Sequence, residues 1–401
     1  MHIDLLSPAS FSNGHPHDQY RWLREHAPAY WHEEAGGRGF WAITRFDDVR
    51  AIGRDPETFS SEPTIMIPDP PEGGSMAFGD HKMMLMMDPP QHTAFRKLIS
   101  REFTQAPAAL LRPRVEALAR QIVDCVIERG ECDFVADIAG EMPSYVIAEL
   151  MGLPLDDGRK LYQLTETIHS APEAVPEGAQ GAAVMEMFGY AQRVIAEKRA
   201  RPADDLSSKL LAAEVDGRKL DDLDFQLFFL LLVDAGGDTT RNLVAAGLLA
   251  LLEHPDEFAR LRGNVDGLLP SARDELLRWV SPVIYMRRTA RRDTEIAGQK
   301  IRAGDKVVRY FGAANFDERQ FEDPYRLNLT RSPNAHIAFG AGAHVCLGQH
   351  IARVEIDALL REVVSRMHDI ELSQRPEWLP SNFISGPKRM PVRFRAGAKV
   401  G

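Results

Sequence analysis

Cysteine is scarce in this sequence: three residues, Cys125, Cys132 and Cys346, in a chain of 401. Three scattered thiols make no disulfide framework, so a reducing, cytoplasmic setting is expected. Long hydrophobic runs are also missing. No window reaches the ~18 apolar residues that a bilayer span requires, and residues 1–14 carry no apolar segment of the signal-peptide kind. Positive charge is not in excess; the net charge of -10 argues against a nucleic-acid partner. There are no internal repeats and no linker long enough to mark a domain boundary. What remains is a globular composition, 44% apolar and 26% charged, sufficient for a large core. Length alone allows two or three domains.

The stretch with the most chemical content lies near the C-terminal end: Phe339-Gly340-Ala341-Gly342-Ala343-His344-Val345-Cys346-Leu347-Gly348. The following residues, Gln349 to Met367, read as a helix, with Ile351, Val354, Ala358, Leu359 and Val363 at helical spacing. Cys346 therefore sits where a glycine-rich loop enters a helix N-terminus, a position that favours a thiolate. Such a thiolate can be a nucleophile with His344 as its base, one ligand of a metal cluster, or the axial ligand of a heme iron. The other cysteines are too distant for a cluster. The glycines favour heme, because they let the backbone lie close beneath a macrocycle.

Elsewhere, Pro28 to Trp31 and Phe40 to Thr44 read as a hairpin, followed by a short helix from Asp47 to Gly53. Glu62 to Gly79 is proline- and glycine-rich and is expected to be a long loop. Helices dominate from about Pro90 to Arg262. Strands are expected over Thr294 to Ile301, Lys306 to Tyr310 and Pro391 to Phe394. Asp221 can cap a long helix that is apolar from Phe225 to Val233. In its middle stands Ala235-Gly236-Gly237-Asp238-Thr239-Thr240, where two glycines and a buried acid each weaken the helix.

The cysteine loop resembles the heme-binding loop of the cytochrome P-450 monooxygenases. The Ala-Gly-Gly-Asp-Thr segment is similar to that family's oxygen-activation motif. The resemblance spans about Trp41 to Phe394, with all motifs in order, and implies a mainly α fold with a smaller β-rich region. It implies heme b (iron protoporphyrin IX) with Cys346 as the metal ligand and Phe339, Gly340 and Gly348 packed against the cofactor. Asp238 and Thr239 are then the catalytic pair that guides protons to the oxygen, with room for dioxygen left by the glycine. His92 and Arg96, four apart on one helix face, match the family's propionate-binding pair. Arg288 and His344 match its further propionate cations, leaving Arg287 as a bystander on the opposite strand face. Glu275 and Arg278 match its Glu-x-x-Arg pair, and Arg326, in Pro324-Tyr325-Arg326-Leu327, is the expected third member. Residues so far apart must meet around one cofactor, so a single domain over residues 1–401 is expected.

The function implied is hydroxylation of a hydrophobic small molecule of terpenoid, steroid or alkyl-aromatic type. Dioxygen and two electrons from a ferredoxin and its reductase would drive it. A peroxide-driven peroxygenase is the alternative within the class, although it would not need Asp238-Thr239. A non-catalytic heme sensor and a cysteine hydrolase built on Cys346 and His344 are alternatives from other classes. By family analogy the substrate pocket draws on Glu62 to Met87, the region around His169, the long helix, Val283 to Tyr285 and Phe383-Ile384. The residues expected there include Met66, Met76, Phe78, Met84, Val233, Val283, Ile284 and Phe383. Lys97, Arg101 and Arg353 are expected to form a basic docking patch for the electron donor, on a monomer.

Overall fold

A computed structural model describes residues 1–70, 81–170 and 175–401. The expected positions Met76 and Phe78 lie outside the described residues, as does the side chain of His169. The helices that position the site are α1 (Phe46–Arg54), α2 (Gln91–Ile99), α3 (Gln105–Asp124), α4 (Glu141–Met151), α5 (Leu155–His169), α6 (Ala179–Ala200), α7 (Asp222–Glu253), α8 (Val265–Val280) and α9 (Gln349–Arg366).

α7 is the axis of the helical part. Its start is fixed by a capping box: the Asp224 N–H donates to the Asp221 side chain at 2.9 Å, and the Asp224 side chain accepts from the Asp221 N–H at 3.2 Å. Leucine and phenylalanine run around all its faces, which fits a helix enclosed by neighbours. α4, α5, α6, α8 and α9 all pack against it, and the largest apolar cluster of the protein surrounds it. No helix among the described residues is long and apolar enough to cross a membrane.

The β-rich part is a five-stranded sheet built from β1 (Ala29–His32), β2 (Phe40–Ile43), β3 (Phe59–Ser60), β4 (Tyr285–Ala290) and β5 (Lys306–Tyr310), in the order β1-β2-β5-β4-β3. The expected hairpin is β1–β2, with Trp31 opposite Trp41. β5 is central, parallel to β2 and antiparallel to β4, and all five of its residues are buried. The segment read as one strand from Thr294 to Ile301 is instead a tight hairpin. It turns at Ala297 and Gly298, both with φ in the left-handed region. A three-stranded sheet near the C-terminus takes Glu131–Asp133 as an edge strand. Cys132 lies there, its thiol pushed up to about 12 by burial, which removes it from thiolate chemistry. The mainly α fold with a smaller β-rich region is thus the architecture found.

Candidate active site

The cysteine loop bends through left-handed conformations at Gly340 (φ 76°) and Gly342 (φ 80°). Gly342 sits so close to α1 that an added Cβ would lie 1.9 Å from the Gly53 carbonyl oxygen. Inside the loop the Cys346 N–H donates to the Phe339 carbonyl at 2.8 Å. The sulfur receives hydrogen bonds from the backbone N–H groups of Gly348 and Gln349, at the start of α9. Burial pushes the Cys346 thiol up, and those N–H groups, with Arg96 and Arg353, pull the other way. Desolvation prevails, so the helix terminus alone does not create the thiolate expected from position. A cation bonded to the sulfur would have to complete the stabilisation.

Cys346 lines a mainly apolar cavity to which α7 contributes Leu232, Ala235, Gly236 and Thr239. The helix runs unbroken through both glycines. The Thr239 hydroxyl donates to the Ala235 carbonyl at 3.1 Å, which holds it at the cavity surface. Asp238, expected beside it, is buried on another side of α7 and is not a lining residue. Its charge, after burial, helps push the Glu166 carboxyl of α5 up to about 7. The buried Arg241 guanidinium donates directly to that same carboxylate.

Arginines and histidines share part of the cavity lining: His92, Arg96, Arg288 and His344. The His92 and His344 rings lie 3.9 Å apart, and His344 Nε2 is 3.1 Å from the Ser61 hydroxyl. Arg288 donates to the Arg287 carbonyl at 2.8 Å. Arg96 and Arg288 form no ion pair with a carboxylate among the described residues. Burial lowers Arg288 to about 10, His92 to about 4 and His344 to about 2, the neighbouring cations adding to the effect on the two histidines. His92 Nδ1 is buried without a hydrogen-bond partner. A Cβ on Gly348 would meet nothing within 4 Å. The site thus joins a sulfur donor, open space over a glycine, two arginines without carboxylate partners among the described residues, and two neutral imidazoles that can donate hydrogen bonds. A flat dianionic macrocycle with a coordinated metal fits this set.

The cytochrome P450 family model matches residues 176–390. A methyl-branched lipid omega-hydroxylase of Mycobacterium tuberculosis is 38% identical over 365 residues, 89% of this chain and 85% of that protein. A steroid C26-monooxygenase of the same species is 36% identical over 416 residues, 99% of this chain and 94% of that one. The solved structure of a Mycobacterium marinum cytochrome P450 in complex with pseudoionone superposes with a TM-score of 0.91. It is 36% identical, with 98% of this chain and 99% of that one covered. The chain belongs to the cytochrome P450 family.

As a P450 it is an oxidoreductase of the monooxygenase class, and the cofactor of the family is heme b. The geometry corrects several expectations about individual residues. The arginine that joins Glu275 and Arg278 is Arg331, not Arg326. Glu275 accepts from Arg278 at 2.8 and 2.9 Å, from Arg331 Nε at 3.1 Å and from Asn334 at 3.1 Å. Arg326 is exposed and contributes its backbone carbonyl to Arg331. Arg287 stays off the cavity lining, as a bystander to the cofactor should, but it is fully buried and pairs with Asp69 at 2.8 Å.

Of the expected pocket residues, Val283 and Met84 line the cavity. Val233, Ile284 and Phe383 do not. Val233 lies off the lining face of α7 and packs into the core. Ile284 follows Val283 in extended chain and points to the opposite side. Phe383 packs edge-on against Tyr285, ring centroids 5.3 Å apart. Residues that sequence reasoning missed include Leu232, Ala235, Arg309 and Glu355, all of which face the cavity. Glu355 is buried, accepts from the Thr240 hydroxyl at 3.3 Å, and is pushed up to about 8 by desolvation. A carboxylate at helix position i+6 from Gln349, within an apolar run, was the available signal.

Proposed function

We propose that this P450 hydroxylates a lipophilic small molecule of terpenoid, steroid or alkyl-aromatic type, with electrons from a ferredoxin and its reductase. The observation that carries the reading is that Cys346 and Thr239 line one and the same mainly apolar cavity. Cys346 would hold the iron, and His92, Arg96, Arg288 and His344 would bind the propionates, with Phe339, Gly340 and Gly348 beneath the ring. When bound, heme b supplies the iron that binds and activates dioxygen.

The chain's own groups supply the rest. Apolar walls contributed by Met84, Leu232, Ala235 and Val283 desolvate the substrate and exclude bulk water. The Thr239 hydroxyl, its hydrogen donated to the Ala235 carbonyl, presents acceptor lone pairs at the cavity surface. Asp238, one residue back and coupled electrostatically to Glu166 of α5, would relay a proton toward Thr239. The names of the lipid omega-hydroxylase and the steroid C26-monooxygenase support an aliphatic, terpenoid-like substrate. The exposed Lys97 and Arg101 offer the donor protein a basic contact. A monomeric, cytoplasmic enzyme forming one interleaved domain over residues 1–401 completes the reading.

The test is spectroscopic. Reduced protein under carbon monoxide is expected to show the strongly red-shifted Soret band of thiolate ligation, and lipophilic candidates should shift the ferric spectrum on binding. A carbon monoxide band at the position typical of histidine-ligated heme would remove Cys346 from the iron.

A further inference from the structure

Arg309 is the third arginine of the cavity lining. It lies on β5, the central strand, opposite Met286 of β4 and Ile43 of β2, and only 2% of its surface is exposed. Its Nε and Nη1 are buried without a hydrogen-bond partner. Its guanidinium carbon lies 5.4 Å from the centre of the Phe311 ring. The head group reaches the junction of α1 and the cysteine loop, since a Cβ on Gly53 would lie 2.5 Å from Nη1 and 2.8 Å from the Ala341 carbonyl oxygen. It borders the same cavity as Arg288 and His344.

The electrostatics of this arrangement are unfavourable as they stand. Arg288 repels Arg309, and Arg309 in turn adds to the repulsion on His344. Asp88 is the carboxylate felt by Arg288, but it already accepts from Ser60, the Ser61 N–H and Arg291. A buried guanidinium without a partner costs several kcal/mol, and hydrophobic side chains of that length are available to a central strand. An anion is therefore required, and the cavity opens onto the head group.

We propose that Arg309 is a third arginine of the heme carboxylate site, binding a propionate alongside Arg288 and the His92–His344 pair. The inference rests on heme occupying this cavity, and it assigns a residue that none of the motifs contains. A guanidinium presents two N–H groups in one plane and can hold a carboxylate with both. From the position of Gly53 and Ala341, Arg309 would fix the propionate at the edge where the cysteine loop meets α1.

Arg309→Met keeps length and removes charge, and the holoenzyme is the material to use. Loss of one charge-assisted hydrogen bond should speed heme transfer to excess apomyoglobin by about tenfold or more. The propionate bending band in the resonance Raman spectrum should also move. The Soret position of the reduced carbon monoxide complex should stay, because Cys346 is untouched; this separates failure of the inference from failure of the ligand assignment. Arg309→Lys, which keeps charge and loses the fork, should fall between the two. Wild-type heme retention together with an unmoved propionate band in Arg309→Met overturns the proposal. If the methionine protein does not accumulate, the lysine variant is measured in the same two ways. Faster heme transfer with a moved band then supports the proposal, and wild-type behaviour in both overturns it.

Discussion

Two groups of buried arginines in this P450 have opposite surroundings. Behind the site, Arg278 and Arg331 converge on Glu275, with Asn334 and the Asn328 N–H filling the remaining carboxylate positions. Arg278 also donates to the Asn315 carbonyl at 2.9 Å, and its own side chain and that of Glu275 are fully buried. On the cavity side, Arg288 and Arg309 are buried and Arg96 is half-buried, and none of the three meets a carboxylate among the described residues. The first group is complete without any ligand and therefore serves the fold. The second is incomplete, and its deficit has the sign and location of an anionic cofactor. Burial alone does not distinguish a structural arginine from a binding one; the census of its acceptors does.

The comparison breaks most visibly at Glu275. Glu275→Gln leaves two buried guanidinium groups without their counter-charge, and the expected loss is about 3–5 kcal/mol. Little soluble holoprotein should accumulate, while Arg326→Ala should melt within a degree or two of the parent. Equal effects of the two substitutions in thermal melts would return the third-arginine role to Arg326. Next in size is Arg288→Leu, which tests the incomplete group. Removing an unpaired buried charge should leave the heme-free protein as stable as before or more so, yet weaken heme retention about tenfold or more. A heme-free protein destabilised to the extent seen for Glu275→Gln would make Arg288 structural.

A smaller effect belongs to Glu355. Its folded-state value near 8 lies above the ordinary 4.5, so the unfolded chain releases this proton first. Glu355 thus subtracts stability progressively as pH rises from about 4.5 to about 8, and none below that window. Glu355→Gln should flatten the decline in melting temperature across that range; an unchanged slope would mean the carboxyl ionises normally. The smallest change in stability is expected for Thr239→Ala, within about 0.5 kcal/mol, with heme content retained. Consumption of reducing equivalents should continue while product falls and hydrogen peroxide rises. Unchanged coupling of electron use to product would leave the hydroxyl a packing group.

The fold class was readable because its signals are local. Glycines punctuate the cysteine loop, Asp221 announces the start of α7, and two β-rich runs on either side of a glycine-rich turn mark the β1–β2 hairpin. Family resemblance carried the cofactor and the cationic residues. Facing was less legible. α7 is apolar on every side, so no pattern says that Leu232 meets the cavity and Val233 does not. β5 is buried on both faces, which hides the different fates of Val308 and Arg309. Arg331 escaped because it lies in irregular chain after Asp323, where no period relates sequence position to direction. Arg326 was the nearer candidate in sequence, but the turn at Asp323, with φ of 43°, sends it to solvent.

The contact between Gly53 and Gly342 has a consequence for how the enzyme is made. The cysteine loop has no room for its final shape except against the backbone of α1, a helix close to the other end of the chain. Segments separated by nearly three hundred residues must therefore dock before the ligand loop is rigid, and closing so long a loop is slow and entropically costly. On a ribosome, the β1–β2 hairpin and α1 emerge long before the strands and the loop they pack against. Ordering of the loop that carries the proposed iron ligand is then a late event of folding, and damage to the Gly53 junction is expected to appear as cofactor-poor protein with its helices intact.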